Sequence, residues 1–177
     1  MNDTADQHPS NNPRELPGLV IRYYRYDDHP HVERLYTEGL LVGQIPDNDT
    51  GADIENIFEA YFSTDRTKFW VAELNGKIVG MIGVAEDEPN IAEIRRLRVQ
   101  PDLQATEIGD KLMETALYHC RHHGYLKVRL DTRLERGRAT ELFEKFAFQH
   151  HRTRDVPGKE LLEFYMDLYR QPKKEEE

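Results

Sequence analysis

Residues 91–112 read IAEIRRLRVQPDLQATEIGDKL, and the fold depends on how that stretch is parsed. Its left half, ending in Leu97-Arg98-Val99, has the apolar and long side chains of a strand; its right half, from about Glu107, opens a helix. Pro101 and a short polar linker stand between them. A strand that stops, turns through a Pro-containing loop and starts a helix aims several unpaired backbone N–H groups at one spot. The helix dipole makes that spot favourable for an anion. Such a junction suits a phosphate.

Upstream, Phe69 to Leu74, then Asn75-Gly76, then Lys77 to Val84 is a strand, a turn of the kind Asn-Gly favours, and a second strand. Asn90 to Val99 is expected to pair beside it. Downstream, Ile108, Leu112, Met113, Ala116, Leu117 and Cys120 form a helical stripe that stops near Gly124. Leu126 to Leu130 predicts a short strand, and Ala139, Leu142, Phe143, Phe146 and Ala147 a further helix. A strand from Phe148 to Arg154, the turn Pro157-Gly158 and a last strand from Leu161 to Leu168 complete the pattern. Nearer the start, Leu19 to Tyr26 has strand composition, and Asp27-Asp28 can cap a helix carrying Val32, Leu35 and Tyr36. Gly39 to Asp49 reads as a loop over a pocket, and Asp53 to Phe62 as a second helix.

Residues 1–17 are polar and aperiodic and read as disordered, residues 18–170 as one domain, and residues 171–177 as a charged, solvated tail. Lys and Arg number 24 against 33 Asp and Glu, a formal charge of −9, which disfavours nucleic acid and anionic membrane surfaces as partners. The single cysteine, Cys120, cannot form an internal disulfide, and no apolar run has the length of a signal peptide or membrane span. A cytoplasmic location is expected. The element order is that of an α/β (α+β) domain: a central mixed, mostly antiparallel sheet flanked by helices, in which an antiparallel hairpin precedes a βαβ unit.

The order of strand, Val-x-Pro, short loop, Gly and amphipathic helix resembles the acetyl-CoA-binding motif of the GNAT acyltransferases. That loop usually reads Gln/Arg-x-x-Gly-x-Gly/Ala, and this chain has Gln104-Ala105-Thr106-Glu107-Ile108-Gly109, with Glu107 in place of the first glycine. The element order from Val20 to Leu168 is also that of the GNAT fold. Lys68 to Glu73, Gly76 to Gly83 and Leu35 to Leu40 are most similar to the camello-type N-acetyltransferases. The apolar segment that membrane-bound animal members carry between the first two helices is lacking here, so the resemblance implies a soluble version.

The resemblance implies an N-acetyltransferase that uses acetyl-CoA as co-substrate, with the primary amine attacking the thioester directly in a ternary complex. It places the pantetheine along backbone groups of Leu97, Arg98 and Val99, and the pyrophosphate at Gln104, Ala105, Thr106, Glu107, Ile108, Gly109 and Asp110. Glu93 matches the strand-borne glutamate that accepts the proton in some members. Its plainer reading is an ion pair with a neighbouring arginine, which lowers a carboxyl pKa rather than raising it. The acceptor is a small-molecule amine, such as an amino acid, or a protein amino group. Exposed sheet edges would also admit a homodimer.

Departures from the family pattern matter. Where members often read Leu-Tyr-Glu-Lys-x-Gly-Phe, this chain reads Leu142-Phe143-Glu144-Lys145-Phe146-Ala147-Phe148, and Arg136 stands where an Asn is common. Phe143 has no hydroxyl to protonate the leaving thiolate, and Glu107 must turn away from the loop or compete with the pyrophosphate. These changes also fit a second reading, a catalytically silent GNAT domain that binds CoA or a protein partner. Arg95, Arg96 and Arg98 either attract the CoA phosphates or balance neighbouring carboxylates, and the second is the default expectation. His119 and His123, four apart on a helix, lack a third ligand and read as solvated rather than metal-binding, as do His29/His31 and His150/His151. Cys120 and Trp70 read as core.

Overall fold

The computed structural model describes residues 16–39, 49–133, 138–156 and 159–169. Among them, seven strands form a single sheet. They are β1 (Leu19–Tyr23), β2 (Lys68–Leu74), β3 (Lys77–Glu88), β4 (Ile91–Val99), β5 (Lys127–Arg133), β6 (Gln149–Val156) and β7 (Lys159–Asp167). The spatial order is β1-β2-β3-β4-β5-β7-β6. Every neighbouring pair is antiparallel except β4–β5, which is parallel. The helices are α1 (His29–Glu38), α2 (Ala52–Glu55), α3 (Ile57–Phe62), α4 (Ile108–His122) and α5 (Arg138–Lys145). No helix among the described residues is long and apolar enough to cross a membrane.

Local chemistry accounts for the joints. Asn75 and Gly76 both have positive φ, 50° and 81°, the turn whose twist matches a two-residue hairpin, so β2 and β3 pair as the Asn-Gly dipeptide predicts. Gly124, at φ 73°, ends α4, and Tyr125 N–H reaches back to Cys120 O at 3.2 Å to close the helix end.

Two expectations need correction. The helix expected over Asp53 to Phe62 is broken at Asn56 (φ −136°, ψ 70°) into α2 and α3. Asn56 O accepts Ala60 N–H at 3.0 Å and its side chain donates to Glu59 at 2.5 Å, so it starts a new helix instead of continuing the old one. Asp28 precedes α1 but makes no side-chain cap; its buried carboxylate takes Arg22 at 2.8 and 2.9 Å and Arg25 N–H at 2.7 Å. A bidentate, charge-assisted pair outweighs a cap.

The sheet is apolar on both faces. On one, Ala92, Ile94, Leu97 and Val99 of β4 pack with Val128, Leu130 and Phe164 under Ile108, Leu112, Met113, Ala116, Leu117 and Cys120 of α4. On the other, Phe69, Val71, Ile78 and Met81 meet Val32 and Leu35 of α1 and Ile57 and Tyr61 of α3. Gly80 on β3 lets α4 lie close: a Cβ there would stand 2.9 Å from Ile108 and 3.0 Å from Leu112.

Candidate active site

The sheet opens between its two parallel strands. β4 pairs with β5 only from Ile91 to Glu93, opposite Lys127 to Arg129. Beyond Glu93 the two strands share no further pairs, although β4 runs on to Val99 and β5 to Arg133. On its other side β4 stays paired to β3 through Val99, with one extra residue inserted: Gly83 faces Arg95, but Met81 already faces Arg98. The bulge is centred on Arg96, whose φ is 58°.

The open edge of β4 is therefore made of backbone groups of Leu97 and Val99. Val99 N–H donates to Gly39 O at 3.0 Å, Val99 O accepts Gln104 Nε2 at 3.1 Å, and Leu97 O accepts Arg98 Nη1 at 3.1 Å. From this edge the chain passes through a 3-10 turn at Pro101–Leu103 to the start of α4. The first intrahelical bond runs from Lys111 N–H to Glu107 O at 2.9 Å, so the N–H groups of Ile108, Gly109 and Asp110 have no acceptor within the helix. Thr106 turns its hydroxyl to Leu103 O at 2.5 Å, and Ala105 is exposed. The carboxylate of Glu107 makes no cap on its own helix; it accepts Leu16 N–H at 2.8 Å, 91 residues away in sequence. The Asp110 carboxylate is engaged by Lys145 at 2.6 Å.

Glu93 sits where the gap begins. Its carboxylate accepts Arg95 Nη2 at 2.6 Å, the ion pair foreseen as its plainer role. Two carboxylates that sequence reading did not single out share this face. Asp131 lies on β5 directly opposite Glu163 of β7. Partial burial, and then the charges of Glu163 and Glu93, hold the Asp131 carboxyl above its ordinary range. Glu163 is held by Arg152 and, at 2.5 Å, by Arg154, and hydrogen bonding from Arg152 keeps its carboxyl low. Alternation along Lys127 to Arg133 puts Asp131 opposite in face to Val128 and Leu130, but only the strand order brings it beside Glu93.

The arginines of β4 divide. Arg96 is locked between Asp49 and Asp53, with Nε on Asp53 at 2.9 Å and Nη2 on Asp49 at 2.9 Å, and its guanidinium lies over the Tyr36 ring. Burial works to raise both carboxyls, but the bonds and charge of Arg96 hold them below the usual carboxylate range. Tyr61 adds a hydroxyl to Asp53 at 2.5 Å, tying α3 to the bulge. Arg98 does not follow the expectation. It is buried, at 9 % exposure, yet among the described residues no carboxylate pairs with it.

His119 is not solvated: it is 5 % exposed, edge-on to Trp70, with Nε2 2.8 Å from Arg66 O. Its place on the inward stripe of α4 overrides the polarity of the ring. No group of metal ligands forms among the described residues. Burial pushes the Cys120 thiol up to about 12, which leaves it un-ionised and inert as a nucleophile. Phe143 is in the core, its ring 5.5 Å from Phe164 and 6.0 Å from Phe148. Arg136, residues 1–15, most of the loop from Gly39 to Asp49 and the tail from residue 170 lie outside the described residues.

The profile of the acetyltransferase (GNAT) family matches residues 32–148, a span that contains the bulged strand β4, its open edge and the helix start at its end. The chain is a GNAT acetyltransferase family member. It is 35% identical over 137 residues to the "Probable N-acetyltransferase camello" of Xenopus laevis, covering 75% of this chain and 52% of that protein. To human N-acetylaspartate synthetase it is 30% identical over 154 residues, covering 82% of this chain and 45% of that one. This GNAT protein thus spans about half the length of the curated relatives it matches. Its fold is also that of yncA from Salmonella typhimurium, whose structure holds acetyl-CoA as cofactor: TM-score 0.72 at 16% identity, covering 87% of this chain and 96% of the other.

Proposed function

We propose that this GNAT protein transfers the acetyl group of acetyl-CoA to a primary amine. The observation that carries the reading is the parting of β4 from β5 at Glu93, beside a helix start with unused N–H groups. The residues suit CoA. Ile108, Gly109 and Asp110 offer main-chain donors to the pyrophosphate, and Glu107, facing Leu16, leaves them clear. The edge at Leu97 and Val99 suits an amide-bearing pantetheine chain, which would take Val99 N–H in place of Gly39 O.

In this reading the amine attacks the thioester carbonyl, the C–N bond forms as the C–S bond breaks, and CoA leaves as thiolate. Glu93, directly or through one water, takes the proton from the ammonium. The thiolate needs no protein acid to depart, since a thiol pKa near 8.5 makes it a good leaving group, so Phe143 is tolerated. Glu93→Gln is expected to slow turnover with little change in acetyl-CoA affinity; full activity in that variant would remove Glu93 from the mechanism.

A second reading, a silent family member that binds CoA or a protein partner without turnover, is favoured by the bond that Gly39 already makes to Val99 N–H. Calorimetric titration with acetyl-CoA, followed by a measurement of amine-dependent release of the CoA thiol, separates the cases: binding without release is the silent domain. Micromolar binding justifies a screen of amines, small or protein-borne, and release with any of them supports the transferase. No heat at millimolar acetyl-CoA turns the reading to the silent domain.

A further inference from the structure

A buried guanidinium that no carboxylate neutralises is expensive, because desolvation is offset only by a partner charge and full hydrogen bonding. The other inward arginines have such partners: Arg22 has Asp28 and Glu73, Arg66 has Glu86, Arg96 has Asp49 and Asp53. Among the described residues Arg98 has only carbonyl oxygens, Leu97 O at 3.1 Å from Nη1 and Tyr36 O at a long 3.5 Å from Nε. Asp49 and Asp53 act on it through space, but their oxygens are committed to Arg96. Burial, with the charge of Arg96 beside it, pulls the guanidinium down to about 10, so it stays charged at neutral pH.

Its position is informative. The side chain leaves β4 on the face away from α4: Gly39 lies against its Cβ, and its guanidinium stands 5.9 Å from the Tyr36 ring of α1. That is the side opposite to the helix start that suits the phosphates. Its contact with Leu97 O nevertheless puts the fork at the open edge of β4, and it shares a strand face with Glu93.

We infer that Arg98 is an anion anchor for the second substrate, and that the acceptor amine carries a carboxylate that the guanidinium fork binds. The inference rests on the transferase reading and adds the acceptor's chemistry: an amino acid, ammonium toward Glu93 and carboxylate toward Arg98. A planar fork with free N–H groups matches a carboxylate bidentately, and a buried site strengthens that bond.

The test avoids turnover. With CoA held at saturation, saturation-transfer NMR is recorded for a panel of L-amino acids, dicarboxylic ones included, and for the α-carboxamide of each. The expected result is transfer to one or more acids, at least tenfold weaker binding of the matching amides or of the side-chain amide, loss of binding in Arg98→Met, and weakened binding in Arg98→Lys. Acids and amides binding alike, acid binding that survives Arg98→Met, or no acid binding while CoA binds would each overturn the inference and leave the transferase reading to the acetyl-CoA titration. Thermal unfolding supplies the second readout. If Arg98 serves a ligand, Arg98→Met unfolds at the same or a higher temperature than the parent. A clear drop assigns Arg98 a structural role and overturns the inference.

Discussion

Ala147 holds φ at 62°, the left-handed region, at the C-terminal end of α5. The chain there closes as a Schellman motif, with Phe148 N–H on Phe143 O at 3.0 Å and Ala147 N–H on Glu144 O at 2.9 Å. That motif needs a left-handed residue after the helix, and an L side chain costs roughly 1–2 kcal/mol there. Ala147→Gly removes this strain but gives the unfolded chain more freedom, worth about 0.4–1 kcal/mol against it. The midpoints of these ranges leave a net stabilisation of about 0.8 kcal/mol, or roughly 2–3 °C in Tm for a chain of this size. Urea unfolding followed by the fluorescence of Trp70, the single tryptophan, should show a higher midpoint at unchanged slope. Ala147→Val should move the midpoint the other way, since a β-branched residue tolerates this conformation less well. A midpoint for Ala147→Gly equal to or below the parent's would refute the reasoning. Acetyl-CoA affinity should not change, because Ala147 is exposed and makes only this cap.

Three further outcomes are expected. Glu107→Gln keeps an acceptor for Leu16 N–H but removes a charge from beside the phosphate loop; at about 1 kcal/mol for screened charges, acetyl-CoA should bind roughly fivefold tighter by calorimetry, and unchanged or weaker binding counts against the site. Gly80→Ala puts a Cβ 2.9 Å from Ile108 and 3.2 Å from the Arg98 carbonyl, so it should cost about 1–3 kcal/mol and weaken acetyl-CoA by shifting the first turn of α4; a parent-like Tm and affinity would exclude this packing. Asp28, Asp49 and Asp53 have folded-state pKa values below their unfolded ones, so the stability they add is complete above about pH 4 and is lost as the pH falls through the folded values. Unfolding midpoints from pH 6 to 2.5 should therefore decline below pH 4, and Asp28→Asn should lower the neutral plateau and flatten the decline; a flat parent profile would contradict the pairing.

Much of the fold was legible because it is locally encoded. Asn75-Gly76 fixes a hairpin, Gly124 stops a helix, and the stripe from Ile108 to Cys120 is long enough to set its period. The junction of strand, Pro101 turn and helix was legible for the same reason, since its parts are contiguous. What depended on distant partners was not. Asp28 reads as a cap until Arg22 is seen to claim it, and His119 reads as polar surface until α4 is laid on Trp70. Glu107 could face its own loop or away from it, and a single N–H from Leu16 decides.

The bulge in β4 is the case where the sequence rule fails for a physical reason that also builds the site. Alternation from Glu93 would put residues 95, 97 and 99 on one face. Instead Leu97 and Val99 join Ala92 and Ile94 under α4, because Arg96 is inserted as an extra residue in the left-handed region. A glycine there would have announced the bulge; an arginine conceals it, at a local cost of roughly 1–2 kcal/mol. The compensation comes from Asp49 and Asp53, 47 and 43 residues away, which hold the guanidinium from both sides. The same contacts dock α2 and α3 against the bulge, so strain in the strand and position of the helices are one arrangement. Its consequence is that Glu93 and Arg98, which strict alternation would separate, share the face opposite α4, while the backbone edge between them is left open. An unbulged β4 would turn Arg98 under α4 and bury it among leucines, and the gap beside Glu93 would have no cation at its far end.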